Sequence, residues 1–285
     1  MMHLNDSTLD HLRAVVDLPD LTGTRYEIET EIGRGGMGVV YCALDRELDR
    51  RVAIKVLDGT LPPVRLAEEA RVIAKLEHPA VVPIYETGML PDGRGYYAMK
   101  LVDGARLDVY LDAHPSVTER LRVIHRIGEA LAFAHSRGVI HRDVKPQNVM
   151  IGSFGEVYVM DWAVEGVAGT PQFRAPEQAK GGRVDQRSDV YSLGALLRFV
   201  LPEGAPRALK AIAAKAMAAE PEGRYPDVSE LLFDVQRFQD GLAVEAYRES
   251  VWQRAGRFAA RNRVLLLLLA AYVAVRFFLF FLRQA

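Results

Sequence analysis

A polar octet, His141-Arg142-Asp143-Val144-Lys145-Pro146-Gln147-Asn148, lies between the apolar runs Val139-Ile140 and Val149-Met150-Ile151. Flanked by two expected strands, it reads as a loop held rigidly at both ends. Asp143 can accept a hydroxyl proton, and Lys145, two residues on, can neutralise a transferring phosphoryl group. Asn148 offers a neutral oxygen to a divalent cation. Asp161 closes the apolar run Val157-Tyr158-Val159-Met160, after an expected hairpin turn at 152–155. A strand-end aspartate is often only a turn former. With Asn148 at the entry of the partner strand, a Mg²⁺ site is the sharper reading.

Two further groups could serve the same chemistry. Ile32-Gly33-Arg34-Gly35-Gly36-Met37-Gly38-Val39-Val40 carries glycines at spacings that let backbone amides approach phosphates closely. A dinucleotide site would need a helix to follow. Here Val39 to Leu44 reads as a strand, so the glycines cap a hairpin, as a phosphate-covering flap or a plain turn. Val52-Ala53-Ile54-Lys55 is an apolar strand ending in a lysine. In the helix expected over 64–76, Leu66, Glu69, Ile73 and Leu76 share one stripe. An inward carboxylate is costly unless paired, and Lys55 is the obvious cation for Glu69.

These groups must be positioned by a chain of 285 residues, 49% hydrophobic and 26% charged, which is globular in composition. The net charge of −1 gives no basic field for nucleic acid, and none is expected as a partner. A single cysteine, Cys42, excludes a disulfide framework or a multi-thiolate metal site. Residues 26–101 are strand-rich and 107–240 mostly helical, which predicts an α+β fold in two unequal lobes. The expected organisation is a leader helix within 1–24, an N-lobe at 25–101, a C-lobe at 102–240, a basic segment at 241–263 and a membrane helix at 264–282. In that last stretch 18 of 19 residues are apolar or Tyr, interrupted by Arg276, which is about the length that spans a bilayer. Residues 248–285 hold seven arginines against one acid, Glu249, so the preceding chain carries −7. That bias predicts a single-pass anchor in the cell membrane, touching lipid, with the folded part cytoplasmic. The polar N-terminus shows no signal-peptide pattern, and no folded part is expected beyond the span.

Taken together, these residues resemble the eukaryotic-like serine/threonine protein kinases of bacteria, from about Tyr26 to Phe238. Ala175-Pro176-Glu177, the helix start at Asp189-Val190-Tyr191, and Arg224 belong to the same resemblance. It implies a bilobal protein-kinase-like fold with ATP and Mg²⁺ between the lobes, and protein Ser/Thr hydroxyls as acceptors. It implies that Ile32, Gly33, Gly35, Gly36 and Gly38 cover the nucleotide. Val40, Ala53 and Met150 would sandwich adenine, Met99 would be the gatekeeper, and the Lys100 carbonyl and Val102 amide would face the base. Lys55, held by Glu69, would orient the phosphates, Asn148 and Asp161 would hold Mg²⁺, and Asp143 and Lys145 would act at the transferred group. Arg224 would pair with Glu177, and Thr170 would contact the catalytic residues.

Three departures are visible. The usual Asp-Phe-Gly reads Asp161-Trp162-Ala163, and Thr170 is the only hydroxyl between Trp162 and Pro176. Only Pro202 to Ala205 separates helices expected at 193–201 and 206–219, where relatives carry a substrate-docking helix. The expectation is a minimal enzyme not switched by loop phosphorylation. The alternatives are a nucleotide-binding pseudokinase scaffold at the membrane, a small-molecule kinase, and a membrane adaptor.

Overall fold

The computed structural model describes residues 18–35, 38–58, 70–113, 116–162, 171–251, 254, 256, 258 and 262–284, without the side chains of 265 and 277–284. Strands β1 (Tyr26–Gly35), β2 (Gly38–Asp45), β3 (Arg50–Leu57), β4 (Ile84–Met89) and β5 (Gly95–Lys100) form one antiparallel sheet, ordered β1-β2-β3-β5-β4. β3 is central and buried from Val52 to Leu57. Side chains alternate across a strand, so Val52, Ile54 and Val56 share one face, where they pack with Tyr26, Tyr41, Tyr96 and Ala98. Ala53 and Leu57 point the other way, toward Tyr97, Met99 and Tyr158. Lys55 falls on that second face by the same period.

The second lobe starts with a small sheet, β6 (Gly104–Arg106), β7 (Val149–Gly152) and β8 (Val157–Val159), ordered as numbered. Helices α1 (Leu107–Ala113), α2 (Val117–Ser136), α3 (Pro176–Ala179), α4 (Gln186–Val200), α5 (Arg207–Ala216) and α6 (Val228–Gln239) build the rest. Their apolar faces meet in one core that includes Ile124, Ile127, Leu131, Leu193, Leu196 and Leu231. Burying each such side chain contributes about 1.5–3 kcal/mol. Asp185 caps α4 by accepting from the Arg187 amide at 2.8 Å, and Asp227 caps α6 at the Glu230 amide at 3.0 Å. The sheet lobe and helical lobe together form a bilobal kinase-like fold.

Several elements differ from expectation for local reasons. Val139-Ile140 forms no strand: the Val139 amide bonds to Ala134 O at 2.9 Å and Gly138 takes φ 73°, closing the end of α2. α4 starts at Gln186 rather than 193, because the Asp185 cap lies upstream of the apolar stripe. The next helix is shorter than 206–219. β4 begins at Ile84, directly after Pro83, which cannot donate to a ladder. Of the helix expected over 64–76, the described residues show a helical stretch at 70–74 with Ala70 and Ile73 buried.

A last helix, α7, runs from Arg263 to Gln284. Among the described residues no helix is long and apolar enough to cross a membrane, so the structure does not support the span expected at 264–282. The leader helix expected at 7–17 lies outside the described residues.

Candidate active site

The octet between α2 and β7 is held from below by one buried carboxylate. Asp189, fully buried near the start of α4, accepts from the His141 amide at 2.8 Å, the Arg142 amide at 2.8 Å and His135 Nε2 at 2.7 Å. Burial works to raise its carboxyl, and the hydrogen bond and charge of His135, with His141, more than offset this. Asp189 therefore stays ionised. Its grip fixes Arg142 at φ 69°, a left-handed backbone that costs a non-glycine residue about 1–3 kcal/mol.

His141 is the second positioning group. Its Nε2–H donates to Met160 O at 3.0 Å, and its Nδ1 accepts from the Asp143 amide at 3.3 Å. One neutral imidazole thus ties the octet to the end of β8. Full burial pushes its pKa below the ordinary value, against the opposing charges of Asp189, Asp143 and Asp161. Trp162 is 1% exposed, stacks 4.7 Å from the His141 ring and donates Nε1–H to Val159 O. The group's folded pKa is depressed, so its stability contribution is complete above the unfolded pKa of about 6.5 and is lost as pH falls from there. Unfolding free energy should therefore drop between pH 7 and pH 5.5. His141→Gln should flatten that slope, and an unchanged slope in urea titrations would contradict this reading. His78, also lowered by burial, adds the same sign in both proteins.

At the cleft, Asp143 Oδ2 accepts from Lys145 Nζ at 2.7 Å and Asn148 Nδ2 at 3.0 Å, and Asn148 Nδ2 also bonds Asp143 O at 2.8 Å. The expected residues Asp143, Lys145 and Asn148 thus form one bonded cluster. Across from it, Lys55 Nζ donates to Asp161 Oδ1 at 2.9 Å. Lys55 is 5% exposed, while the Asp161 side chain remains 48% exposed to the cleft. Partial desolvation works to raise the Asp161 carboxyl, and the charge and hydrogen bond of Lys55 bring it below the usual range. Asp161 also takes a left-handed φ of 53°. Glu69, the expected partner of Lys55, lies outside the described residues, as do Gly36, Ala163 and Thr170.

The roof and walls complete the cleft. A side chain added at Gly35 would meet open space, and at Gly33 only Val40 Cβ at 4.0 Å. The flap surface is therefore uncovered where a ligand would lie. At Gly38 a Cβ would stand 2.1 Å from Val56 O, so the closeness of β3 already requires a glycine there. Ile32 is 48% exposed on β1. Val40, Ala53, Met99, Val102 and Met150 belong to one apolar cluster drawn from both lobes, with Tyr97 and Tyr158 packed among them. The backbone of Lys100 adjoins it, while its ammonium turns away to the Tyr158 hydroxyl. With Asn148 Nδ2 committed to Asp143, the Asn148 carbonyl oxygen and the Asp161 carboxylate are the hard donors that suit Mg²⁺, which takes one or two carboxylates and fills its shell with water and phosphate. Among the described residues no group of three or more His, Cys, Asp or Glu is arranged to hold a metal unaided.

Outside the cleft, Arg224 forms a two-pronged ion pair with Glu177, both bonds 2.7 Å, with Ser188 Oγ donating to the same carboxylate. The guanidinium side chain is fully buried and its other donors reach Ala218 O, Arg187 O and Ala219 O. Burial pushes Glu177 up, and Arg224 and Ser188 bring it net below its ordinary value. Glu177→Ala strands a buried cation and should cost about 3–5 kcal/mol in urea unfolding. A loss under about 1 kcal/mol would show the pair to be replaceable.

Sequence reasoning missed Asp189 and His135 as the anchor of the octet, and His141 as its link to β8. The signal for Asp189 was present: it shares the inward stripe of α4 with Leu193, Leu196 and Val200.

A model described as "Protein kinase domain" matches residues 26–217. The chain is 36% identical over 281 residues to the serine/threonine-protein kinase PknB of Mycobacterium tuberculosis, covering 80% of this chain and 45% of that protein. It is 33% identical over 300 residues to a probable serine/threonine-protein kinase, SCO3848, of Streptomyces coelicolor, covering 85% and 44%. A probable PknB kinase of Bifidobacterium longum is 32% identical over 279 residues, covering 78% and 40%. The chain thus spans less than half the length of these relatives.

Proposed function

The chain belongs to the protein kinase family, and from that premise we propose that it transfers the γ-phosphoryl group of ATP to serine or threonine hydroxyls of proteins. The observation that carries this reading is the bonded cluster Asp143–Lys145–Asn148 together with the buried Lys55 paired to Asp161.

Each residue then has a task set by its contacts. Asp143 takes the proton of the incoming hydroxyl at its carboxylate, whose orientation Lys145 and Asn148 fix through Oδ2. Lys145, already beside that carboxylate, lies where it can follow negative charge onto the transferred group. Lys55 is held rigid and nearly buried, so its ammonium can orient phosphate oxygens without a large reorganisation. Asp161 and the Asn148 carbonyl oxygen would hold Mg²⁺, which when bound supplies charge neutralisation for the phosphates. The apolar slot from Val40 to Met150 excludes water from the base, and the flap strand covers the phosphates.

Addition of ATP with Mg²⁺ should raise the melting temperature of the full chain, and ATP with EDTA should do so less. Equal shifts with and without the metal would count against the assignment of Asp161 and Asn148. The half-exposed Asp161 leaves one carboxylate open to that ion.

The minimal form, with its short segment before Glu177 and no helix between α4 and α5, would select substrates by co-residence rather than docking. The anchor belongs to the same proposal, single-pass with the kinase part cytoplasmic. Its support is the sequence, 18 of 19 apolar or Tyr residues at 264–282 on a helix of 22 residues. Co-sedimentation of the chain with lipid vesicles, lost on deleting 264–285, is the expected result; retention in the supernatant by both forms would sink it.

A further inference from the structure

A cavity of about 340 Å³ lies beside β5 and β8, and two of its lining residues, Ile84 and Tyr158, also pack in the cluster of Val40, Ala53, Met99, Val102 and Met150. Its apolar wall is Ile73, Leu76, Val81 and Ile84. Its polar groups are donors. Lys100 Nζ donates to the Tyr158 hydroxyl and lies 4.6 Å from that ring, with the charge of Glu156 acting on it as well. Because an ammonium can only donate, the phenol oxygen is the acceptor in that bond. The hydroxyl hydrogen of Tyr158 must therefore point elsewhere, and the lysine has two further N–H bonds to offer. His78, also on the lining, accepts the Ala80 amide on Nδ1 at 3.2 Å, so its neutral ring carries the hydrogen on Nε2. Glu77, exposed at the rim, is the one acid among the lining residues.

An ammonium, a phenol and an imidazole N–H set beside an aliphatic wall select for an anion attached to an apolar body. The volume falls at the lower end of small-molecule sites, about 300–1,000 Å³. We propose that this cavity is a second small-molecule site, for an aromatic monocarboxylate, separate from the nucleotide cleft. The carboxylate accepts from Lys100 Nζ and Tyr158 Oη, and the ring lies against Ile73, Leu76 and Ile84. The proposal does not depend on the catalytic reading.

The test titrates the full chain with indole-3-acetate and, in parallel, with the uncharged indole-3-acetamide, followed by saturation-transfer NMR. The acid should bind with a dissociation constant of roughly 1 mM or tighter, and saturating Mg²⁺–ATP should not displace it. The amide should bind at least about fivefold more weakly, as expected for losing a charge-assisted hydrogen bond. Tyr158→Phe should weaken the acid by about fivefold. Ala74→Phe, which fills the cavity from an exposed helical position, should abolish binding while leaving the ligand-free melting temperature near wild type. Equal affinity for acid and amide, displacement by ATP, no binding of the acid, or binding indifferent to both variants would each overturn the proposal. If Ala74→Phe fails to fold, the Tyr158→Phe ratio and the ATP competition still decide it.

Discussion

Asp143→Asn should lower kcat for phosphoryl transfer by about 10²–10⁴-fold while ATP affinity stays nearly unchanged. The substitution keeps the size of the side chain and removes only its ability to accept a proton and its charge. Lys145 and Asn148 both donate to Oδ2 in the native cluster, so an amide at 143 must also turn its oxygen toward them or confront two donors with a third. None of the residues that line the apolar slot bonds to Asp143, which is why binding should survive. Rapid-quench turnover together with nucleotide titration separates the two terms. A variant with near-native turnover would show that proton transfer to this carboxylate does not limit the reaction.

Asp189→Ala should be the most destabilising single change in the site, by about 3–5 kcal/mol in urea unfolding. It strands two backbone amides and an imidazole in the interior, and each orphaned buried donor costs about 1–3 kcal/mol. The loss has a functional side. The left-handed backbone of Arg142 is held by its amide and that of His141 on this carboxylate, with Gln178 Nε2 donating to the Arg142 carbonyl at 3.1 Å. Freed of that constraint, the octet should relax and take Asp143 out of line with the cleft, so turnover should fall well below the melting temperature. Asp189→Asn, which retains one acceptor oxygen, should lose less of both. A stability loss under about 1 kcal/mol for the alanine variant would contradict the anchoring role.

Much of this architecture could be read from the chain because its determinants are local. The alternation in Val52 to Leu57 sets Lys55 on the face of Ala53, and the structure buries it there. Arg224 and Glu177 were placed together only through a resemblance, and their 2.7 Å contacts need a fold to bring together residues 47 apart. Asp189 was read only as part of a helix start, although the inward-stripe argument applied to Glu69 fits it equally well and would have buried it. An acid near a helix start reads first as a dipole-favoured surface residue, and only tertiary burial reverses that. At Gly38 the approach of β3 by itself demands a glycine, a contact invisible without the strand pairing. The strand expected at Val139-Ile140 failed because the left-handed Gly138 extends the closing bonds of α2 over it. The Lys100–Tyr158 bond joins residues 58 apart, and nothing in either neighbourhood announces it.

The most direct measurement is transfer of label from γ-³²P-ATP by the purified full chain to itself or to a generic basic protein, with Mg²⁺ and then with EDTA, followed by phosphoamino-acid analysis. The account predicts metal-dependent label on serine or threonine that vanishes in Asp143→Asn. Tight binding of Mg²⁺–ATP with no transfer, or label that persists in that variant, would contradict it and leave a nucleotide-binding scaffold in place of an enzyme.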